Sequence, residues 1–402
     1  MRNAKNSCQK YELSNKNIFS ESGGPIRVLN VSRWLAASGG GGIQTFLSVS
    51  ARAVQSRNIL YSYSALMPGG APEYASVGLG VHVGKSGVSN LRNSLYLWRW
   101  LRASLTDIDA VHIHGVLSHH FLVASIACLV MKVPYTVSPH GSLDPWFISQ
   151  RRTKAFLYLN SIGRFLLRRA DSIMVTTDME AGYVKSVDES LVTEIVFPGV
   201  DIPDDNQKTR RNSRRDSVLR IVYMSRLSVK KGLPRLLQAL AIIRDNQIEF
   251  ELHVVGSGEP EYEAKIRKIV ETLNLDSFVI FYGYLSGKKK IDVMQKSDVY
   301  VLHSDTENFG FTVAEAMALG LPVVISNRVA LADVVEKYRA GSVVPVESIE
   351  LLASSLMEYS FRKTQEERGS RAYEAAVQEF SLSQMGGSLE KLYRRALKRY
   401  TW

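Results

Sequence analysis

Short runs of β-branched and aliphatic residues alternate along this chain with longer segments whose apolar positions recur at helical spacing, the pattern of βαβ units around a parallel sheet. In the first half, six runs predict strands: "RVLNVSRW" from Arg27, "ILYSYSALM" from Ile59, "AVHIHG" from Ala110, "PYTVSPHG" from Pro134, "SIMVTT" from Ser172 and "EIVFPGV" from Glu194. The grammar then restarts with "LRIVYMSRL" from Leu219, "FELHVVGSG" from Phe250, "FVIFYGYL" from Phe278, "VYVLHS" from Val299, "PVVIS" from Pro322 and "SVVPV" from Ser342. Both halves read as doubly wound α/β domains. Ligands of such sheets lie beyond the carboxyl ends of the strands, and two such halves with loaded loop edges predict a ligand held in a cleft between them.

Size agrees with this reading, because a chain of 402 residues exceeds what one core usually holds. The expected organisation is a flexible extension over 1–24, a Rossmann-like domain over 25–205 and a basic linker over 206–217. A second Rossmann-like domain follows over 218–384, then a helix over 385–402 that packs back toward the first domain. The extension lacks a continuous apolar core, so it is not expected to be a signal peptide. The longest apolar run, "FLVASIACLVMKV" from Phe121, falls short of the roughly 20 residues that span a bilayer. Cys8 and Cys128 lie far apart and suggest neither a disulfide framework nor a zinc site, which fits a reducing, cytoplasmic location.

Charge adds one thing to the picture. Between Lys85 and Arg169 stand eleven Lys and Arg against three Asp, a net of +8 within a chain of net +11. Here "LYLWRWLRASL" and "RRTKAFLYLNSIGRFLLRR" interleave arginines with aromatic and aliphatic residues, as interfacial helices do. An anionic membrane surface is one expected partner, and two amphipathic helices with solvated basic faces are the alternative. No base-stacking module is legible, so nucleic acid is not expected.

The loops at the predicted strand ends carry the candidate chemistry. Gly39 to Gly42 precede a helical segment and suit either an anion or a plain turn, but they do not form a dinucleotide or Walker fingerprint. Arg226 and Lys231 follow the first strand of the second half and precede Gly232 and a helix, a placement that suits a diphosphate. Gly256 and Gly258 would let a ligand approach the backbone after the next strand. His140, in "SPHGSLDPW", offers a neutral imidazole for a sugar hydroxyl or for charge at a reacting centre. His112, His114, His119 and His120 lack an accompanying carboxylate cluster, so no metal is expected. Glu307 lies in the loop before Asn308, Phe309, Gly310 and Phe311, where a carboxylate and several backbone donors meet. Glu315 lies three residues after Thr312, so it is either a ligand contact or the second half of a helix capping box.

The segment "ENFGFTVAEAMALGLPVV" resembles the E-x7-E motif of retaining glycosyltransferases of family 4, which have the GT-B architecture of two facing Rossmann-like domains. "GGGGIQT", "VHIHG", "SPHG", "ADSIMVTTDME", "FPGVD", "SRLSVKKG", "VGSGE" and "FYGYL" stand in the order that the resemblance requires. It implies an acceptor-side first domain and a nucleotide-sugar-binding second domain. Arg226 and Lys231 would bind the donor diphosphate, Glu307 the hydroxyls of the donor sugar, and amides of Phe309, Gly310, Phe311 and Thr312 would complete that site. Glu315 would reach the ribose, Gly41 and Gly42 would approach the diphosphate, His140 would lie beside the transferred sugar, and Leu285 would form a wall for the base. Many members carry Gly-x-x-Glu where this chain reads "NRVALADVVEKYRAG".

The implied activity is transfer of a sugar from a nucleotide-diphosphate donor to an acceptor hydroxyl, without cofactor or metal. The implied acceptor is a lipid-linked glycan in bacterial surface polysaccharide assembly at the cytoplasmic membrane face. A nucleotide-sugar epimerase or glycan phosphorylase on the same architecture is the alternative. A hydrolase with paired carboxylates would need both flanking one bond.

Overall fold

Strands buried on both faces of a parallel sheet read as near-continuous apolar runs. Each run found in the sequence forms a strand; those inside the sheets are buried on both faces, whereas Thr193–Ile195, Val279–Gly283 and Gly341–Val344 stay partly open. A computed structural model describes residues 24–33, 35, 42–65, 81–83, 90–149, 158–159, 161–203 and 217–400. The chain forms two compact units, Met1–Phe197 with Met385–Trp402, and Pro198–Gln384. The basic linker and the N-terminal extension fall almost wholly outside the described residues.

In the first unit the elements run β1 (Ile26–Ser32), α1 (Gly42–Ala53), β2 (Ile59–Ala65), β3 (Val81–Val83), α2 (Asn90–Ser104), β4 (Ala110–His114) and α3 (His119–Met131). They continue with β5 (Tyr135–Ser138), α4 (Pro145–Ser149), α5 (Ile162–Arg169), β6 (Ser172–Val175), α6 (Asp178–Val187) and β7 (Thr193–Ile195). The sheet is parallel throughout, in the order β3-β2-β1-β4-β5-β6-β7. β3 is the one strand here that the sequence pattern did not predict. It is three residues long at the sheet edge, too short to display a period.

Alternation along these strands divides the sheet into two unlike faces. Leu29, Val31, Val111, Ile113, Tyr135 and Val137 join one apolar core with Leu97 and Leu101 of α2, Phe121 of α3, Leu166 of α5 and Val184 of α6. The opposite face presents Asn30, Ser32, His112, His114, Thr136 and Ser138, all buried and all polar. Phe46 of α1 covers part of it, its ring 5.7 Å from that of His114.

The rest of that cover comes from the end of the chain. Helix α14 (Leu382–Tyr400, numbered after the helices of the second unit) leads back into the first unit. Its Tyr393 hydroxyl lies 2.8 Å from His112 Nδ1 and 2.9 Å from the Tyr61 hydroxyl, while His112 Nε2 lies 2.7 Å from Ser138 Oγ. Arg395 pairs with Glu194, and Arg399 donates to the Asp171 carbonyl oxygen at 3.0 Å. A buried polar layer needs such partners, because an unmatched buried group costs its full desolvation.

The second unit runs β8 (Leu219–Met224), α7 (Leu233–Asp245), β9 (Phe250–Val255), α8 (Pro260–Thr272), β10 (Val279–Gly283), α9 (Gly287–Gln295) and β11 (Val299–Leu302). It continues with α10 (Phe311–Ala318), β12 (Val323–Ser326), α11 (Ala332–Tyr338), β13 (Gly341–Val344), α12 (Ile349–Met357) and α13 (Arg362–Phe380). All six predicted strands are present, parallel, in the order β10-β9-β8-β11-β12-β13. The order reverses between β8 and β11. In a doubly wound sheet that reversal opens the crevice in which ligands bind.

Tyr393→Phe removes the hydroxyl that serves both His112 and Tyr61 and is expected to destabilise the first unit by about 1 to 3 kcal/mol. None of the five tryptophans of the sequence lies within Pro198–Gln384, so urea unfolding followed by tryptophan fluorescence does not report on the second unit. An unchanged midpoint would show that the hydroxyl is not holding the helix.

Candidate active site

The loops leaving β8 and β11 meet at the reversal. After β8 the chain turns through a short 3-10 segment at Val229–Lys231 into Gly232, which has φ +70° and lies so close to β11 that a Cβ there would fall 1.9 Å from the His303 carbonyl oxygen. Only glycine permits both. Arg235 of α7 fastens the second loop, donating to the His303 carbonyl oxygen at 2.9 Å and pairing with Asp305 at 2.8 Å. The Asp305 amide donates to the Lys230 carbonyl oxygen at 2.8 Å, so the loops are joined by backbone as well.

This geometry brings Lys231 and Glu307 together. Lys231 Nζ donates to Glu307 Oε2, and both side chains are mostly buried. Backbone bonds fix the loop that carries the carboxylate: the Glu307 amide donates to the Arg328 carbonyl oxygen at 3.2 Å, and the Ala330 amide to the Glu307 carbonyl oxygen at 3.0 Å. Residues 328–330 belong to the stretch that departs from the family's pattern, and here that stretch clamps the loop. Arg226, at the exit of β8, is exposed and pairs with no acidic group among the described residues.

Gly310, with φ +88°, is the N-cap of α10 and offers no capping side chain, so the first amides of the helix keep their donor capacity. Of the two alternatives for Glu315, the Thr312–Glu315 capping box is therefore not formed. Thr312 lies inside the first turn, with its hydroxyl 2.7 Å from that of Tyr300, which donates to the Met224 carbonyl oxygen at 3.0 Å. Glu315 accepts from Lys290 of α9, whose Nζ lies 2.6 Å from each carboxylate oxygen. Phe309 is buried against Phe311, with ring centroids 5.1 Å apart. Lys290 was not singled out in the sequence; its only signal is the run Lys288–Lys290 after the "FYGYL" loop, where Leu285 stands half-buried.

Gly256 has a reason within the fold. With φ +133°, its Cβ would fall 1.9 Å from the Ser225 carbonyl oxygen, so the residue lets the exits of β8 and β9 pack together. Gly42 begins α1 and a Cβ there would meet nothing, whereas Gly41 lies outside the described residues.

In the first unit, His140 follows β5 and keeps a partly open edge. Its backbone is left-handed at φ +51°, followed by Gly141 at +76°. Glu180, buried at the start of α6, holds this bend. One oxygen accepts from the Gly141 amide at 2.6 Å, the other from the Thr176 amide and hydroxyl at 2.8 and 2.9 Å. Glu180 was not singled out in the sequence, although "TTDM" followed by Glu spells the T-x-x-E spacing, and Thr177 Oγ1 does accept from the Glu180 amide.

His140 Nε2 lies 2.9 Å from His114 Nδ1, and Phe46 packs on the imidazole at 5.0 Å. Burial holds these imidazoles neutral, pushing His112 and His140 down to about 3 and His120 to about 4. Among the described residues, no three His, Cys, Asp or Glu side chains are placed to hold a metal ion.

Residues 40–204 match the family model described as glycosyltransferase family 4, and residues 204–375 the model described as glycosyl transferases group 1. The chain belongs to the family 4 glycosyltransferases of GT-B architecture. It is similar to the putative colanic acid biosynthesis glycosyltransferase WcaL of Salmonella typhimurium, with 27 % identity over 56 % of this chain and 57 % of that protein. A second relative is the GDP-mannose:cellobiosyl-diphosphopolyprenol alpha-mannosyltransferase of Xanthomonas campestris, with 25 % identity over 63 % of this chain and 65 % of that one. The alignments thus span somewhat more than half the length of these two relatives. In fold the chain is similar to Anabaena Alr3699/HepE in complex with UDP and glucose, with a TM-score of 0.72 at 18 % identity over 92 % of this chain and 99 % of that one.

The neutral histidines set a pH dependence. Their folded pKa values lie below the ordinary 6.5, so the unfolded chain binds more protons and stability present above pH 6.5 falls as pH drops toward 4. Each contributes up to about 1.4 kcal/mol per pH unit across that window. Thermal unfolding by tryptophan fluorescence should show a midpoint declining from pH 6.5 to 5; a flat midpoint would contradict neutral burial.

Proposed function

We propose that this protein is a retaining glycosyltransferase that moves a sugar from a nucleotide-diphosphate donor to an acceptor hydroxyl. The observation that carries the proposal is the Lys231–Glu307 pair at the strand-order reversal, beside an exposed Arg226 and the uncapped start of α10. A largely buried lysine paired with a glutamate is a matched set of receptors for an anion and for hydroxyls. A diphosphate replaces Glu307 on Lys231, with Arg226 and the helix amides sharing its charge. Glu307, released, accepts from the sugar hydroxyls. In this reading Glu315, held by Lys290, serves the ribose, Leu285 serves the base, and the neutral His140 serves a hydroxyl of the transferred sugar.

In the reaction the bond from the anomeric carbon to the diphosphate oxygen breaks, and a bond to the acceptor oxygen forms on the same face. The acceptor proton passes to the departing diphosphate, so no carboxylate nucleophile is needed. The cations and amides act where negative charge develops, and no metal is invoked. Each glutamate is held by its own lysine, which favours two ligand contacts over the acid and base of a hydrolase. The UDP-bound neighbour and the relatives support a nucleoside-diphosphate sugar as donor.

The Xanthomonas and Salmonella relatives favour a lipid-linked glycan acceptor and surface polysaccharide assembly. No described helix is long and apolar enough to cross a membrane. Helix α2 exposes Leu91, Leu95 and Tyr96 beside Arg92, Arg99 and Arg102, and α5 exposes Ile162 and Phe165 beside Arg169; both pack on α3. This surface fits attachment to the anionic cytoplasmic face of a membrane.

Lys231→Ala should lower transfer about a hundredfold or more, as loss of a charge-stabilising donor does elsewhere. Release of nucleoside diphosphate across a panel of nucleotide sugars, with and without acceptor, is the assay. Release that does not depend on acceptor, or an unaffected Lys231→Ala enzyme, would overturn the reading. Leu91→Glu with Leu95→Glu should abolish sedimentation with phosphatidylglycerol vesicles at low salt; wild-type protein that stays in the supernatant would refute attachment.

A further inference from the structure

We infer that Asn30 and His114 are positioning residues that fix His140 as its Nε2–H tautomer, leaving Nδ1 as a lone-pair acceptor for a sugar hydroxyl. The second half of this statement rests on the proposed place of His140 beside the transferred sugar. The first half rests on hydrogen-bond geometry together with the burial that keeps both rings neutral.

The chain of reasoning starts at a backbone carbonyl, which can only accept. Asn30 Nδ2 donates to the Ser62 carbonyl oxygen of β2 at 3.5 Å, which orients the amide and turns Oδ1 toward His114. Asn30 Oδ1 lies 3.0 Å from His114 Nε2. An amide oxygen has no proton to give, so His114 Nε2 carries one. Burial drives the His114 pKa well below its ordinary value, so the ring is neutral and Nδ1 bears the lone pair. That lone pair lies 2.9 Å from His140 Nε2, which must therefore be the donor. His140 is neutral as well, and its single proton is now placed.

The surroundings hold this relay in register. His120 Nε2 donates to the His114 carbonyl oxygen at 2.7 Å, while Ser118 Oγ lies 2.5 Å from His120 Nδ1. Glu180 anchors the Gly141 amide and with it the left-handed backbone at His140, a conformation that disfavours a residue bearing Cβ. His112 is committed elsewhere, to Tyr393 and Ser138. Asn30 and His114 alternate with the apolar residues of β1 and β4, so they lie buried on the polar face with no route to a ligand of their own.

The consequence concerns substrate class. A fixed acceptor nitrogen pairs with a hydroxyl and opposes a carboxylate, so the sugar position it meets carries an O–H and not an acid group. A site arranged for a hydroxyl discriminates strongly against an analogue that lacks it.

The test is 15N-histidine labelling of the full chain, with two-dimensional proton–nitrogen spectra at neutral pH and no donor present. Resonances are assigned with His140→Gln and His114→Gln. His140 and His114 should each show a protonated, pyrrole-like Nε2 and an unprotonated, pyridine-like Nδ1. Asn30→Leu, which removes the acceptor, should mix or reverse the His140 pattern and lower kcat for transfer about tenfold, the scale of one lost buried hydrogen bond. A protonated Nδ1 on wild-type His140, or an unchanged pattern in Asn30→Leu, would overturn the inference. Should the variant not fold, the wild-type spectrum decides alone. The expected tautomer in a protein without transfer activity would count against the proposed function only.

Discussion

Within each sheet every described strand runs parallel to its neighbours, and that constraint decides where chemistry can stand. Parallel strands must be joined by crossovers that cover both faces, so the loops leaving their carboxyl ends gather along one edge. In the second unit the order reverses between β8 and β11, and the loops from those strands carry Arg226, Lys231 and Glu307. Gly232 is the joint between them. Its left-handed backbone, and its closeness to the end of β11, let Lys231 reach a carboxylate from a loop 76 positions away.

The sequence showed most of this because burial on two faces writes itself as apolar runs, and twelve of the described strands lie on the predicted runs, the partly exposed edge strands β7, β10 and β13 among them. β3 escaped, being an edge strand of three residues. The two T-x-x-E spacings teach a sharper lesson. At Thr312–Glu315 the pattern allowed a cap, yet the helix begins earlier, after Gly310, and both side chains bond elsewhere. At Thr177–Glu180 the cap forms, and the glutamate turns its carboxylate to the bend at His140. Local spacing names a set of possible bonds, and the neighbouring elements choose among them. Lys290 was illegible for the same reason: its partner stands 25 positions away on another helix.

The first unit spends hydrogen bonds where the second spends apolar packing. One face of its sheet is lined by Asn30, His112, His114 and Ser138, and such a layer is stable only when nearly every member has a partner. Alternation in "AVHIHG" announced two histidines on one face, but the strand pattern alone could not say that a tyrosine from the last helix would close the layer. The terminal helix is thus part of the first unit's interior chemistry. Asn30, on the neighbouring strand, is set by register: Val28 pairs with Ala110 and Asn30 with His112, which brings the amide within reach of His114.

Under the proposed function, the Lys231–Glu307 pair also explains why donor and product should bind differently. Breaking a largely buried pair leaves two charges unmatched, and removing only one partner is the costly case. An intact nucleotide sugar supplies both replacements, phosphate oxygens for Lys231 and hydroxyls for Glu307. The nucleoside diphosphate that remains after transfer supplies only the first. Glu307 is then unpaired beside a lysine it can reach without moving its backbone, which is clamped by Arg328 and Ala330. Re-forming the pair competes with the diphosphate for Lys231. The Lys231–Glu307 contact is therefore the one that favours release of the product.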